Sequence, residues 1–309
     1  MNESDSRRKF FQQLLEHGHF LPTGVQGVYG RGAEFEDAGM RLMGVIDRPS
    51  DADGSERVHF PPAMSRAVFE RAGYMDTMPH LGGCIHSFRG GDADHREMVE
   101  RIASGDPWES FLEMTDVTMT PAACYPIYPL VGAHGDGQLP EDGRLFDLLS
   151  WIFRHEPSDD PARLQCFRQR EMVRLGTPAQ VQEWRRLWIE RGMAILTSLQ
   201  LDVQLETAND PFFGRGGRML KANQQALELK FEIQSPICSE ENPTAITSFN
   251  YHESHFGELF SISTGSGDVA HTACLGFGFE RITLALFKTH GLRVSDWPNQ
   301  VLKVLGYDC

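Results

Sequence analysis

Gly276-Phe277-Gly278-Phe279-Glu280-Arg281 is a glycine-punctuated strand that runs straight into an apolar helical pattern, residues 282–287. Such a junction fixes the arginine at the edge of regular structure. A second arginine has a comparable setting upstream. Phe153-Arg154-His155-Glu156 follows an apolar run, 148–153, that reads as a strand or a helix end, and it leads into a polar turn, 157–161. Guanidinium is planar, permanently charged and bidentate, so two arginines placed this way can hold the phosphates of one nucleotide at opposite ends. Phosphoryl and nucleotidyl transfer rest on that kind of positioning and charge neutralisation. Taken singly, either segment is equally a surface arginine or an ordinary ion pair. The signal lies in the two together.

The remaining pattern predicts helices over 6–15, 33–44 (Phe35, Met40, Leu42 and Met43 on one face), 62–73, 95–103, 178–199 and 281–289. Strands are expected over 58–60, 166–175, 226–233, 246–251, 259–263 and 273–279, with extended chain over 117–119 and 125–131. Turns or loops are read over 25–32, 47–56, 132–143 and 214–217. The helix over 178–199 is the clearest, with Trp184, Leu187, Trp188, Ile195 and Leu199 at helical spacing and Arg185, Arg186 and Arg191 beside them. A strand-rich second half with hairpin-length gaps points to a mainly antiparallel sheet packed by helices, an α+β architecture.

A formal net charge of −14 over 309 residues disfavours nonspecific nucleic-acid binding, which needs cations to displace counterions from phosphate. No run approaches the apolar length of a membrane span, and residues 1–20 lack a signal-peptide apolar region, so a cytoplasmic protein is expected. Six widely spaced cysteines in a chain this long are not a secreted disulfide framework; they read as reduced thiols or metal ligands.

In order and separation, the two arginine segments resemble motifs 2 and 3 of class II aminoacyl-tRNA synthetases. The closest likeness is to the seryl-type catalytic core in its zinc-containing archaeal form. Residues 21–305 resemble the homologues that lack a tRNA-binding domain, the amino acid:[carrier protein] ligases. Val28-Tyr29-Gly30-Arg31-Gly32-Ala33-Glu34-Phe35-Glu36, Ala122-Ala123-Cys124-Tyr125-Pro126 and Ser248-Phe249-Asn250-Tyr251-His252 strengthen the match.

The resemblance implies a class II synthetase-like antiparallel sheet flanked by helices, one catalytic domain over 1–309, and no tRNA-binding domain. It implies one zinc per subunit, bound by Cys124, Glu171 and Cys274, with Glu171 also at the substrate. Three protein ligands leave tetrahedral zinc an open position for a free α-amino group. His252, His255 and His271 are weaker competitors as ligands, and Cys84, Cys166, Cys238 and Cys309 receive no role. For the nucleotide, Arg154 is expected at the α-phosphate, Glu156 at the adenine amino group and Arg281 at the γ-phosphate. Arg163 and Leu164 should lie along ATP, with Ala245, Ile246, Thr247 and Ser248 offering backbone or hydroxyl contacts. Phe167 is the candidate for adenine stacking.

Magnesium is expected with ATP, but the usual acidic ligand before the Ser/Asn segment is not evident; either Glu241 replaces it or fewer protein ligands are used. The implied activity is ATP-dependent activation of a small amino acid, glycine or alanine, followed by transfer to the phosphopantetheine thiol of an acyl carrier protein. A homodimer is implied, no tRNA is expected, and the helix over 178–199 is a candidate for carrier docking. Two other readings use the same residues: a truncated seryl-like tRNA synthetase, and a non-catalytic synthetase-like regulator. Intact Arg154, Glu156 and Arg281 speak against the regulator.

Overall fold

The structure, a computed structural model, describes residues 3–307; Cys309 lies outside them. Helix α1 (Glu3–Glu16) buries Phe10 and Leu14 and leads into a hairpin of β1 (Phe20–Val25) and β2 (Val28–Arg31). Phe35, Ala38, Leu42, Val45 and Ile46 form the buried stripe of α2 (Ala33–Ala52), which runs past its expected end at 44. Part of the loop read over 47–56 is therefore helix. Its Ser50 is buried and donates to Asp147 Oδ2 at 2.8 Å, so a polar residue in that stretch faces inward.

Strand β3 (Glu56–His59) precedes an outlying sheet of β4 (Ala63–Ser65), β5 (Cys84–Phe88) and β6 (Leu112–Met119), in the order β4-β6-β5. Helices α3 (Arg66–Arg71), α4 (Tyr74–Thr77) and α5 (Asp92–Ser104) lie between those strands. The helix expected over 62–73 is thus divided, its first part pairing as β4. Helix α6 (Ile127–Ala133) replaces the extended chain expected over 125–131. Pro126 caps it and Pro129 sits in its first turn, where the missing N–H costs nothing.

The rest of the chain builds the main sheet and its cover: β7 (Arg144–Phe153), β8 (Cys166–Gly176), α7 (Pro178–Ser198), β9 (Gln204–Thr207), α8 (Gly214–Ala226), β10 (Lys230–Ser235), β11 (Thr244–Glu253), α9 (His255–Phe260), β12 (His271–Gly278), α10 (Phe279–His290) and α11 (Asn299–Leu305). The segment 214–217, read as a loop, opens α8, and the strand read from 226 begins only at Lys230. The strand expected over 259–263 does not form: residues 259–260 end helix α9, and Ser263 makes only isolated bridges; Phe256 and Phe260, four residues apart, both stack on Tyr128 from one helical face.

Seven strands pair in the order β3-β7-β8-β12-β11-β10-β9. Only β3–β7 is parallel; the other neighbours are antiparallel, as the sequence suggests. One face of the sheet is the main core, where Phe249, Leu275 and Phe277 meet Trp188 of α7 and Leu286 of α10. The other face carries Val173 and Cys274 under α6 and α9. On that second face the register sets Glu171, Gly276, Ser248 and Glu232 in one row across four strands, and Cys274, Asn250 and Lys230 in the next. No helix among the described residues is long and apolar enough to cross a membrane.

Candidate active site

The two rows form the floor of a cavity of about 500 Å³. Strands supply the floor because alternate residues of a strand share a face and adjacent strands lie only about 4.8 Å apart. Two segments wall it in, residues 72–81 around α4 and residues 210–224, which run into α8, and Phe213 N–H donates to Thr77 C=O at 2.7 Å to join them.

Cys124, Glu171 and Cys274 come together, the three residues that the resemblance implied as a ligand set. One ligand atom from each lies within 4.8 Å of the other two, and all three residues are buried. They arrive from the turn before α6, from β8 and from β12. Glu171 Oε2 accepts the backbone N–H of Cys124 at 2.6 Å, which fixes the turn to the strand. Burial and the Cys274 charge push the Glu171 carboxyl up to about 8. The hydrogen bond with Cys274, together with burial, raises Cys124, while that same hydrogen bond holds Cys274 well below the usual thiol range despite burial. Three buried acidic groups sharing protons in this way are a donor set that a soft divalent cation would complete, and two thiolates with a carboxylate suit zinc.

The competing histidines separate by position. His252 Nε2 lies 3.6 Å from Cys274 Sγ, as does Asn250 Nδ2, so both flank the thiol. The His252 Nδ1 atom lies 3.0 Å from Thr272 Oγ1. His255 is on the cavity wall, and His271 is hydrogen-bonded to the Tyr251 hydroxyl.

At the other end of the cavity stand the two arginines. Arg154 Nε donates to Pro121 C=O at 2.9 Å, and its guanidinium lies 5.7 Å from the Phe167 ring centre. Arg281 donates to Ala162 C=O and Ala245 C=O, each at 2.9 Å. Backbone carbonyls hold both side chains, so both charges remain available to a ligand. Burial and the charges of Arg163 and Arg154 pull Arg281 below the ordinary arginine range, the mark of a cationic cluster suited to an anion. Ala245, Ile246, Thr247 and Ser248 line the same end, and Thr247 Oγ1 is buried without a hydrogen-bond partner among the described residues.

Other expected nucleotide contacts lie off the wall. Glu156 and Arg163 sit 3.4 Å apart beside the cavity. Leu164 does not reach it: its side chain is in the main core, because an apolar group there gains more from burial than from a polar cleft. Glu241 is exposed in the 236–243 loop, whereas Glu232 is on the wall. Glu280, within the glycine-rich motif, is fully buried and structural; it accepts from Arg168 N–H and Nε, and Arg168 also makes a bidentate pair with Glu36.

Sequence reasoning missed Gln169, Asp210, Lys230 and Glu232. Lys230 Nζ lies 2.7 Å from Asp210 Oδ1 and 2.9 Å from Glu232 Oε1, all three on the cavity wall. Burial opposes the charge on Lys230, and the two carboxylates more than offset it. The period-two alternation of β8 could have found Gln169, which shares its face with Phe167 and Glu171. Helix α7 lies on the opposite face of the sheet: Trp184 and Trp188 are core residues, Arg186 pairs with Glu183 and Glu190, and Arg191 pairs with Asp53.

Solved structures identify the fold. The chain superposes on the seryl-tRNA synthetase of M. kandleri, solved with A. aeolicus tRNASec, with a TM-score of 0.80 over 96% of this chain and 60% of that one, at 19% identity. It matches the ATP complex of seryl-tRNA synthetase from Pyrococcus horikoshii with a TM-score of 0.69 over 97% of this chain and 63% of that one, at 14% identity. The architecture is that of the class II aminoacyl-tRNA synthetase catalytic domain. No protein-family model matches the chain. Two curated proteins of Bradyrhizobium diazoefficiens, amino acid–[acyl-carrier-protein] ligases 1 and 2, are each 42% identical over 287 residues, which is 93% of this chain and 87% and 85% of theirs. A type-2 serine–tRNA ligase of Methanococcus maripaludis is 24% identical over 299 residues, covering 90% of this chain and 57% of its own length. The chain belongs to the amino acid–[acyl-carrier-protein] ligase family, and it is a ligase.

Proposed function

We propose that this ligase activates a small amino acid, glycine or alanine, with ATP and transfers it to the phosphopantetheine thiol of an acyl carrier protein. One observation carries the reading: a single cavity holds two carbonyl-anchored arginines at one end and the Cys124–Glu171–Cys274 cluster at the other. Cys124, Glu171 and Cys274 would hold zinc, which would supply a Lewis acid to bind the neutral α-amine of the substrate. Arg154 and Arg281 bind the triphosphate and neutralise charge as the amino-acid carboxylate attacks the α-phosphorus. Phe167 stacks on adenine. ATP brings magnesium, and Glu232, directly opposite Ser248 on the cavity wall, is better placed than Glu241 to meet it.

The acceptor thiol enters beside α8, whose Leu220 and Gln224 line the cavity. Met219 is 76% exposed and Phe213 60%, and Arg218 is exposed next to them, a local apolar and basic surface on an acidic protein. This surface suits an acidic carrier. Helix α7, the other candidate, faces away from the cavity. The protein works as a cytoplasmic homodimer. Helix α5 buries none of its side chains and leaves Val99 and Ile102 about half exposed, and Met114 of β6 is similarly exposed, which supports this outlying sheet as the partner surface.

The test is amino-acid-dependent ATP–pyrophosphate exchange, followed by acceptor assays with carrier protein and with tRNA. Thioester formed only on the carrier supports the reading; charging of tRNA instead supports a truncated synthetase.

A further inference from the structure

Tyr128 of α6 carries a phenol where a phenylalanine would fill the same space. Its ring lies nearly parallel to that of Phe256, with centroids 4.0 Å apart, and Phe260 stacks on it from 6.5 Å. The residue is fully buried, and its hydroxyl has no hydrogen-bond partner among the described residues. A buried O–H without an acceptor costs stability, so its retention calls for an acceptor that forms with the working site.

Its place in the fold names that acceptor. The Ile127 N–H donates to Cys124 C=O at 3.1 Å, so the turn at Cys124 runs on into α6 and sets Tyr128 one helical turn beyond the cysteine. The Tyr128 ring also meets the His252 ring edge-on at 6.2 Å, and His252 Nε2 lies 3.6 Å from Cys274 Sγ. Tyr128, Cys124 and Cys274 belong to one buried cluster. Burial, then the charges of Cys124, Cys274 and Glu171, raise the hydroxyl well above the usual phenol range, so it keeps its proton and can donate. A cysteine binds zinc as the thiolate, and a thiolate accepts from an O–H far better than a thiol does. The other two ligands already have such support. Glu171 Oε2 accepts the Cys124 N–H, and Asn250 Nδ2 and His252 Nε2 flank Cys274 Sγ. Partners of this kind fix the direction of a metal ligand and tune its donor strength.

We propose that Tyr128 is a positioning residue of the metal site, its O–H donating to Cys124 Sγ when that sulfur holds zinc. The assignment rests on the zinc reading above.

The test uses the full-length protein and Tyr128→Phe, which removes the hydroxyl and keeps the ring stack. Each is stripped of metal, then titrated with zinc against a chromophoric chelator and separately with cobalt(II), whose sulfur-to-metal charge-transfer absorption reports on the thiolates. The variant should bind zinc about tenfold more weakly or worse. Its charge-transfer absorption should move to longer wavelength, because a sulfur that loses a hydrogen bond gives up electron density more readily. The metal-free thermal midpoint should stay at or above that of wild type, since the variant loses an unpaired hydroxyl and no ring contact. An unmoved band overturns the assignment whatever the affinity. With unchanged zinc binding the hydroxyl does nothing for the metal, and with a lower metal-free midpoint it serves packing alone. Wild type that takes up neither ion in a one-to-one ratio overturns the zinc reading and this assignment with it, whereas wild type that takes up both beside a variant with an unmoved band overturns the assignment alone.

Discussion

The backbone N–H of Cys124 donates to Glu171 Oε2 at 2.6 Å, tying the turn before α6 to the middle of the β7–β8 hairpin. Cys124 and Glu171 are far apart in sequence, and Cys274 joins them from a third element. The cluster is therefore assembled by the sheet. Cys274→Ala and Cys124→Ala should each abolish stoichiometric zinc binding, measured by metal analysis after gel filtration, with the fold preserved by circular dichroism. Full zinc content in either variant contradicts the assignment of the ligands.

The same carboxylate gives a pH dependence. The Glu171 carboxyl releases its proton near 4.5 in the unfolded chain and near about 8 in the folded, metal-free protein, mainly because of burial. Between those values the folded state holds the extra proton, so the stability it contributes is full below the unfolded value and is lost as pH rises through the folded one. Zinc bound by the proposed ligands would take the proton's place and remove that loss. The rise in melting temperature on adding zinc should therefore be small at pH 5 and larger, about 5 °C or more, at pH 8. A larger gain at pH 5 contradicts the linkage.

Gly276 lies in the row that runs from Glu171 to Ser248, and a Cβ there would stand 2.8 Å from Gln169 Nε2 and 3.3 Å from Glu171 Oε1. Gly276→Ala should raise KM for the amino acid more than tenfold and leave ATP affinity within about twofold. Equal losses for both substrates would place the clash elsewhere.

Glu280 is buried against Arg168, which is also paired with Glu36 on α2 and lies between the Trp151 and Phe279 rings. Removing one partner of a buried pair leaves the other charge stranded, so Glu280→Ala should cost about 3–5 kcal/mol in urea unfolding. Arg281→Ala, one residue on, should leave stability within about 1 kcal/mol and lower kcat/KM for ATP about 100-fold or more. A reversed pattern would exchange the roles of the two neighbours.

What the sequence shows about this protein follows from periodicity. The β12–α10 junction is legible because glycines, a strand and an apolar helix adjoin within a dozen residues, and the helix over 178–199 because Trp184, Leu187, Trp188, Ile195 and Leu199 recur at helical spacing. Strand β8 is harder. Arg168 and Arg170 point into the core and are neutralised there by Glu36, Glu280, Asp47 and Asp147, so the inward face of the strand reads as polar. That camouflage hides Gln169, although it shares parity with Phe167 and Glu171. Helices α6 and α9 are missed because each is one or two turns long and owes its form to the Tyr128–Phe256 stack, a contact between distant segments. The Asp210–Lys230–Glu232 cluster depends on the β10–β11 register and on the wall that folds over it, neither of which has a local signature.

The central claim is best tested by amino-acid-dependent ATP–pyrophosphate exchange across all twenty amino acids, on wild type and on Cys274→Ala. Exchange with glycine or alanine that disappears in the variant is the expected result. No exchange with any amino acid, on folded and zinc-loaded wild type, would contradict it.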